Sequence, residues 1–148
     1  MTTSDPLAFK VLNEIGIIDQ LASHAFTQVL PRNMTIAQFS VLNHFVRLKH
    51  RWRTPAQLAS AFQVSRPTMS NTLARLERAR LVQIEPDPDD GRGKRVSITD
   101  RGREMREDCI ARLGVPLAKM QSQVPSELIE KLDPLLTELR EILDQMRD

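Results

Sequence analysis

A chain of 148 residues is of single-domain size and long enough to bury a core of its own, and its single cysteine excludes an intramolecular disulfide. No apolar run approaches the ~20 residues of a membrane span, and the polar start MTTSDP lacks a signal-peptide pattern, so a cytoplasmic chain without a membrane anchor is expected. The net charge of +2 conceals an asymmetry: residues 44–80 carry eight Lys/Arg against Glu77 alone, a local +7, whereas residues 107–148 carry five basic against nine acidic residues, a local −4.

Ser4 or Asp5 can cap a first helix with Pro6 in its first turn. Its apolar residues, from Leu7, Val11, Ile15 and Ile18 to Phe26 and Val29, recur at helical spacing until Pro31 stops it. Thr35 can cap a second helix with Phe39, Leu42, Phe45 and Val46 facing inward. A basic loop, His50-Arg51-Trp52-Arg53, follows, and Trp52 is expected to cover the edge of the next motif. That motif opens with TPAQLASAF, in which Thr54 is the N-cap, Pro55 the first helical residue and Gln57 the capping-box partner. After a turn at Gln63-Val64, Ser65 can cap the helix SRPTMSNTLARLERA, with Met69, Leu73 and Leu76 on one face. A short helix, a tight turn and a longer helix with a polar outer face form a helix-turn-helix, whose second helix enters the major groove of DNA.

Two alternating segments come next, Val82-Gln83-Ile84-Glu85 and Arg95-Val96-Ser97-Ile98-Thr99, as expected of half-buried strands. PDPDDGRGK between them is rich in turn formers, and Gly91 and Gly93 are free to take positive φ. The hairpin is therefore a "wing" presenting Arg92, Lys94 and Arg95 on a flexible tip beside the reading helix. Thr99 can cap a further helix through Met105, Cys109, Leu113, Leu117 and Met120, bent at Pro116. Ser126 can start the last helix, which Asp133-Pro134 should kink or divide.

The fold class expected is mainly α with a small β-hairpin wing: a winged helix-turn-helix domain over 33–102, and helical dimerisation regions over 1–32 and 103–148. The wide apolar faces of the first and last helices exceed what one small domain can bury, and a homodimer packed through them would set two reading helices ~34 Å apart on a palindrome. On the reading helix, Asn71 has the amide for bidentate contact with adenine, and Pro67 and Thr68 can touch a thymine methyl. Ser65, Arg66, Ser70 and Arg75 suit phosphates or mixed duty, and Arg92, with Lys94 and Arg95 beside it, suits a narrow minor groove. Asp90 either orients Arg92 or forms the turn. Thr54 and Gln57 are accounted for by capping, though both stand near the backbone path.

VSRPTMSNTLARLERARLV followed by DPDDGRGKRVSITDRGRE resembles the MarR family of winged-helix transcriptional regulators, most strongly over Ala56 to Arg103. The resemblance implies a regulator, usually a repressor, that dimerises through its terminal helices. It also implies release from DNA by a small phenolic or aromatic-acid effector held where those helices meet the winged domain. His24, His44 and Arg47 lie on helices that could line such a pocket. Two departures stand out: Arg80 occupies a position where the family usually has Gly, and Asn71 one where many members are basic. Some relatives sense zinc through histidines after the wing. This chain has Cys109 and Leu113 there, and no Cys/His spacing for a metal, so no cofactor is expected. Other relatives use a reactive cysteine in the first helix, so a redox-responsive regulator through Cys109 remains an alternative, although Cys109 falls on an apolar stripe beside Asp108. A winged-helix protein-interaction adaptor is the other alternative, against which the reading face lacks aromatic anchors. Phosphate-loop and nucleophile-elbow motifs are absent, so no enzyme is expected.

Overall fold

A computed structural model of the protein describes residues 4–147, so residues 1–3 of the polar start and residue 148 of the last helical region lie outside it. The elements in chain order are α1 (Leu7–Thr27), α2 (Ile36–Leu48), α3 (Pro55–Phe62), α4 (Arg66–Arg78), β1 (Val82–Asp87), β2 (Asp90–Ile98), α5 (Asp100–Gln123) and α6 (Ser126–Gln145). This is the mainly helical, hairpin-bearing class expected. The chain divides into two compact units between Leu113 and Gly114, within α5.

In the first unit the helix starts follow the capping residues. Thr35 accepts from Gln38 N–H at 3.1 Å, and Gln38 Oε1 accepts from Thr35 N–H at 2.9 Å. The same reciprocal pair joins Thr54 and Gln57 at 3.1 and 3.0 Å. Ser65 Oγ accepts from Thr68 N–H at 3.2 Å, and Thr99 Oγ1 from Gly102 N–H at 3.0 Å. The start of α1 differs from expectation: Pro6 itself is the N-cap, with no side-chain cap bond, so neither Ser4 nor Asp5 caps it. Its last helical residue is Thr27, short of Pro31, where the hydroxyl turns back onto the Ser23 carbonyl at 2.8 Å.

The core lies under the winged domain. Val41, Leu42 and Phe45 of α2, Leu58 of α3, Met69, Leu73 and Leu76 of α4, and Leu81, Val82 and Val96 of the hairpin form one buried cluster. On α2 the inward face is rotated from that expected, because Gln38 and Val41 are buried while Phe39 and Val46 are half-buried. Arg106 Nε and Nη2 both donate to Asn43 Oδ1, at 3.2 and 3.1 Å, tying α5 to α2.

The wing is longer and tighter than its sequence suggests. Antiparallel pairing runs from Val82↔Ile98 to Pro86↔Lys94, then jumps to Asp87↔Asp90, which leaves Gly91, Arg92 and Gly93 outside the pairs. The reversal is made at Pro88-Asp89, where Asp87 Oδ1 accepts from Asp89 N–H at 2.9 Å. An Asx turn with a preset proline φ needs no left-handed residue, and among the described residues no glycine has positive φ. Arg92 therefore sits in a bulge behind the turn instead of at the tip. Beside the hairpin, Arg53 exchanges both backbone hydrogen bonds with Val96, at 2.9 and 2.7 Å, as a short third rung.

Arg80 ends α4 in the left-handed conformation, φ 62°. Its carbonyl accepts from Thr99 Oγ1 at 2.8 Å, and its N–H donates to Glu77 O at 2.9 Å, so neighbours hold it there. A left-handed non-glycine residue costs about 1–2 kcal/mol, part of which glycine's extra unfolded-state freedom offsets. Arg80→Gly should thus raise the stability by roughly 0.5–1 kcal/mol in a denaturant titration. A lowered midpoint would mean the arginine side chain contributes more than its backbone strain removes.

In the second unit, α6 starts behind Pro125 without a side-chain cap, so Ser126 is its first residue and not its cap. The helix continues undivided through Pro134, so of the expected kink or division the division does not occur, and α5 likewise continues through Pro116. No residue of α6 is buried in the single chain, and the same holds for α1 of the first unit.

Candidate nucleic-acid interface

Burying Met69, Leu73 and Leu76 turns the opposite face of α4 outward. Ser65, Arg66, Pro67, Thr68, Ser70, Asn71 and Arg75 are all exposed on it. The first turn contains no acidic residue, so the positive end of the helix dipole is left uncompensated and accessible to anions. Ser65 is committed to capping, since its hydroxyl also donates to Thr68 Oγ1 at 2.8 Å. Asn71 makes no hydrogen bond to another described side chain, and its amide is free to read a base edge.

Among the described residues no carboxylate pairs with Arg66, Arg75, Arg78, Arg92 or Lys94. Two grooves flank the helix. One of about 660 Å³ runs between its C-terminal part and the start of α2, lined by Arg75, Arg78, Asn33 and Thr35. The other, about 330 Å³, lies between Glu77 and the wing residues Arg92, Gly93 and Lys94. Asp90 Oδ1 accepts from the backbone N–H of Arg92 at 3.1 Å, so it shapes the bulge and leaves the Arg92 guanidinium uncommitted.

Arg95 is placed differently from its neighbours. It is half-buried, its Nη2 reaches Asp89 Oδ2 at 3.0 Å and Asp87 Oδ1 at 3.2 Å, and its Cζ lies 4.1 Å from the centre of the Trp52 ring. Trp52 thus stacks on the wing. Sequence alone hid this pair because residues 52 and 95 are joined only by the Arg53–Val96 rung.

His44 stacks near His50 and Phe62, with ring centres 5.7 and 5.2 Å away, and His50 Nε2 bonds to the Arg53 guanidinium. Burial, then the neighbouring His50 and the cations Arg47 and Arg53, lower the affinity of His44 for a proton. His50 is lowered by desolvation and Arg53. A separate cavity of about 200 Å³ lies between α1, α2 and the middle of α5, lined by Asp19, Ser23, Phe26, Phe39, Ser40 and Leu113 among others. None of His24, His44 and Arg47 lines it.

Cys109 is fully buried, and burial followed by the Asp108 charge pushes its thiol above the ordinary cysteine range, with Arg112 opposing. Both effects disfavour the reactive thiolate. A thiol reagent should therefore modify the native protein at least ~100-fold more slowly than the denatured chain, and comparable rates would restore the redox reading. Among the described residues no group of three His, Cys, Asp or Glu could hold a metal ion, and no helix is long and apolar enough to cross a membrane.

A helix-turn-helix whose core is closed by an antiparallel hairpin, with that hairpin's basic residues beside the reading helix, defines a winged helix-turn-helix protein. The comparisons specify it further. A profile described as the MarR family matches residues 32–93. Wild-type MarR from E. coli in its apo form is 25% identical with a TM-score of 0.75, the match covering 93% of this chain and 98% of that one. The transcriptional regulator BldR from Sulfolobus solfataricus is 25% identical with a TM-score of 0.71, covering 88% and 95%. A mutant E. coli MarR complexed with operator DNA is 24% identical with a TM-score of 0.70, covering 91% and 99%. No curated protein sequence matches significantly. Residues 32–93 thus carry the MarR-family match, and the fold is similar to that of these solved transcriptional regulators.

Proposed function

We propose that the protein is a cytoplasmic regulator that binds a palindromic operator in double-stranded DNA as a homodimer, acts as a repressor, and is released by a small effector. The observation that carries this reading is the exposed α4 face, where Asn71 and the unpaired Arg66 and Arg75 run along a helix whose first turn has no acidic residue, beside a wing whose Arg92 and Lys94 are also unpaired. Asn71, Pro67 and Thr68 read bases in the major groove, while Arg66, Ser70 and Arg75 hold phosphates and Ser65 caps the helix that presents them. Arg92, with Lys94, enters the flanking minor groove. The operator complex of the E. coli relative supports DNA as the partner.

Duplexes selected from a random pool should bind with an affinity that falls steeply with salt, and binding insensitive to salt would sink the phosphate-contact reading. On matched operator variants, Asn71→Ala should relax preference at one base pair by about 1–3 kcal/mol. Arg92→Ala should weaken binding of all variants alike. Unchanged affinity in Arg92→Ala would remove the wing from the interface.

Residues 1–32 and 103–148 supply the dimer contacts in this reading, because α1 and α6 each carry apolar residues of which none is buried in the single chain. The effector site is the cavity beside α1 and α2. Its volume of about 200 Å³ suits one aromatic ring. With Asp19, Ser23 and Ser40 on its wall and no basic side chain, it favours a neutral phenol over an aromatic carboxylate. Such a ligand lowers operator affinity only by its differential affinity for the DNA-free spacing of the two reading heads.

A further inference from the structure

We propose that Arg95 is the positioning residue of the wing: clamped between the Trp52 ring and the Asp87/Asp89 carboxylates, it sets the pose in which Arg92 and Lys94 meet DNA. The proposal rests on the DNA-binding reading. Arg95 pairs in register with Glu85 on β1, yet its guanidinium does not bond to Glu85, whose carboxylate takes the Gln83 amide. It runs along the hairpin to the turn instead, where one nitrogen serves Asp87 and Asp89 together. Its Nε is the one buried side-chain nitrogen or oxygen among the described residues without a hydrogen-bond partner. That atom is withdrawn from water while the guanidinium lies over the indole and Nη2 is taken by the two carboxylates, so Arg95 is less available to a phosphate than Arg92 or Lys94.

The indole is itself anchored. Arg53, the next residue, is bonded through both backbone groups to Val96, the next residue after Arg95. The loop between α2 and α3 therefore holds Trp52, Trp52 holds Arg95, and Arg95 holds the turn at Pro88-Asp89. Between the clamp and the turn, the bulge at Gly91, Arg92 and Gly93 has no ladder pairs to fix it. Its direction follows the ends that the clamp secures. A lysine at 95 keeps the charge but has neither the planar stacking face nor the reach to two carboxylates.

Trp52 is the only tryptophan in the chain, so its fluorescence reads the clamp with or without DNA. In the DNA-free full-length protein, Arg95→Ala and Arg95→Lys should each raise acrylamide quenching of Trp52 by about twofold, as the covering cation leaves the ring. Unchanged quenching would overturn the clamp regardless of DNA. Operator affinity should fall about tenfold in Arg95→Ala, yet less than about twofold when Arg92→Ala is already present, as for one residue acting through another. A loss that persists in the Arg92→Ala background, with the salt slope reduced by about one, would make Arg95 a direct phosphate contact and overturn the positioning role. Wild-type protein that quenches as expected but binds no selected duplex would refute the DNA reading, and with it the presentation of Arg92, while leaving the clamp measured.

Discussion

Gly102→Ala should destabilise the winged domain by about 3–5 kcal/mol, the largest effect expected of any single methyl added to this chain. A Cβ built at Gly102 falls 2.1 Å from the Leu81 carbonyl oxygen, 2.8 Å from Ile98 Cγ1 and 3.1 Å from the Leu81 carbonyl carbon. The first of these is backbone and cannot rotate away. The Leu81 oxygen is also held, because it accepts from Thr99 N–H at 3.1 Å. To admit the methyl, the start of α5 must lift from the α4–β1 turn. That loosens the Thr99 hydroxyl bond to Arg80 as well, and each lost hydrogen bond adds about 1 kcal/mol to an overpacking strain of about 1–3 kcal/mol. Against a typical domain stability of about 5–15 kcal/mol, this removes a large fraction of the whole. Denaturant unfolding at matched chain concentration measures it, the concentration being fixed because association stabilises the folded form. A loss below about 1 kcal/mol would mean that α5 does not begin against Leu81 as described.

Gly102 illustrates what was legible in the sequence and what was not. The Thr99 cap and the segment Ile98-Thr99-Asp100-Arg101-Gly102 were visible as a pattern, but the reason for the glycine is a contact across twenty-one positions that no local rule supplies. Arg80 stood out only through the resemblance, which implies Gly there; the left-handed end itself was not readable locally, because only some helices finish that way. The Thr35 cap, the Thr54 capping box and the face Met69-Leu73-Leu76 were legible because their partners lie within four residues. The wing was misjudged where local chemistry offered two solutions. Either glycine could have made the turn, but Pro88-Asp89 with the Asp87 carboxylate did so instead, shifting Arg92 off the tip. Arg95 looked like its basic neighbours until Trp52 and Asp87 were brought to it. Pro134 offered a kink or a division and Pro116 a bend; neither divides its helix, since proline weighs only one hydrogen bond and a local clash against the rest of a long helix. The exposed face of α4 was the easiest part to find, because a helix that buries one stripe must present the other.

Leu135→Arg combined with Ile142→Arg should convert the protein to a monomer and lower operator affinity by about 10²–10⁴-fold. The two residues are seven apart on α6, so they share a face, and both are exposed in the single chain, Leu135 at 60% and Ile142 at 49%. Burying such side chains against a second copy stabilises the pair by about 1.5–3 kcal/mol for each. A two-fold interface doubles the effect, because every substitution appears on both sides, and arginines meeting across the axis repel as well. Both positions are exposed and lie outside the winged domain, so that domain should keep its far-UV spectrum and its unfolding transition apart from the lost dimer contribution. The fall in affinity then has one source: two half-sites are no longer engaged by one linked molecule, and each reading head binds with its own weak affinity. Sedimentation velocity gives the oligomeric state, and titration against full and half operators gives the linkage. A double variant that remains dimeric would move the interface away from α6. One that is monomeric but binds the full operator undiminished would show that each reading head acts alone, and the palindrome would then have no structural basis in this chain.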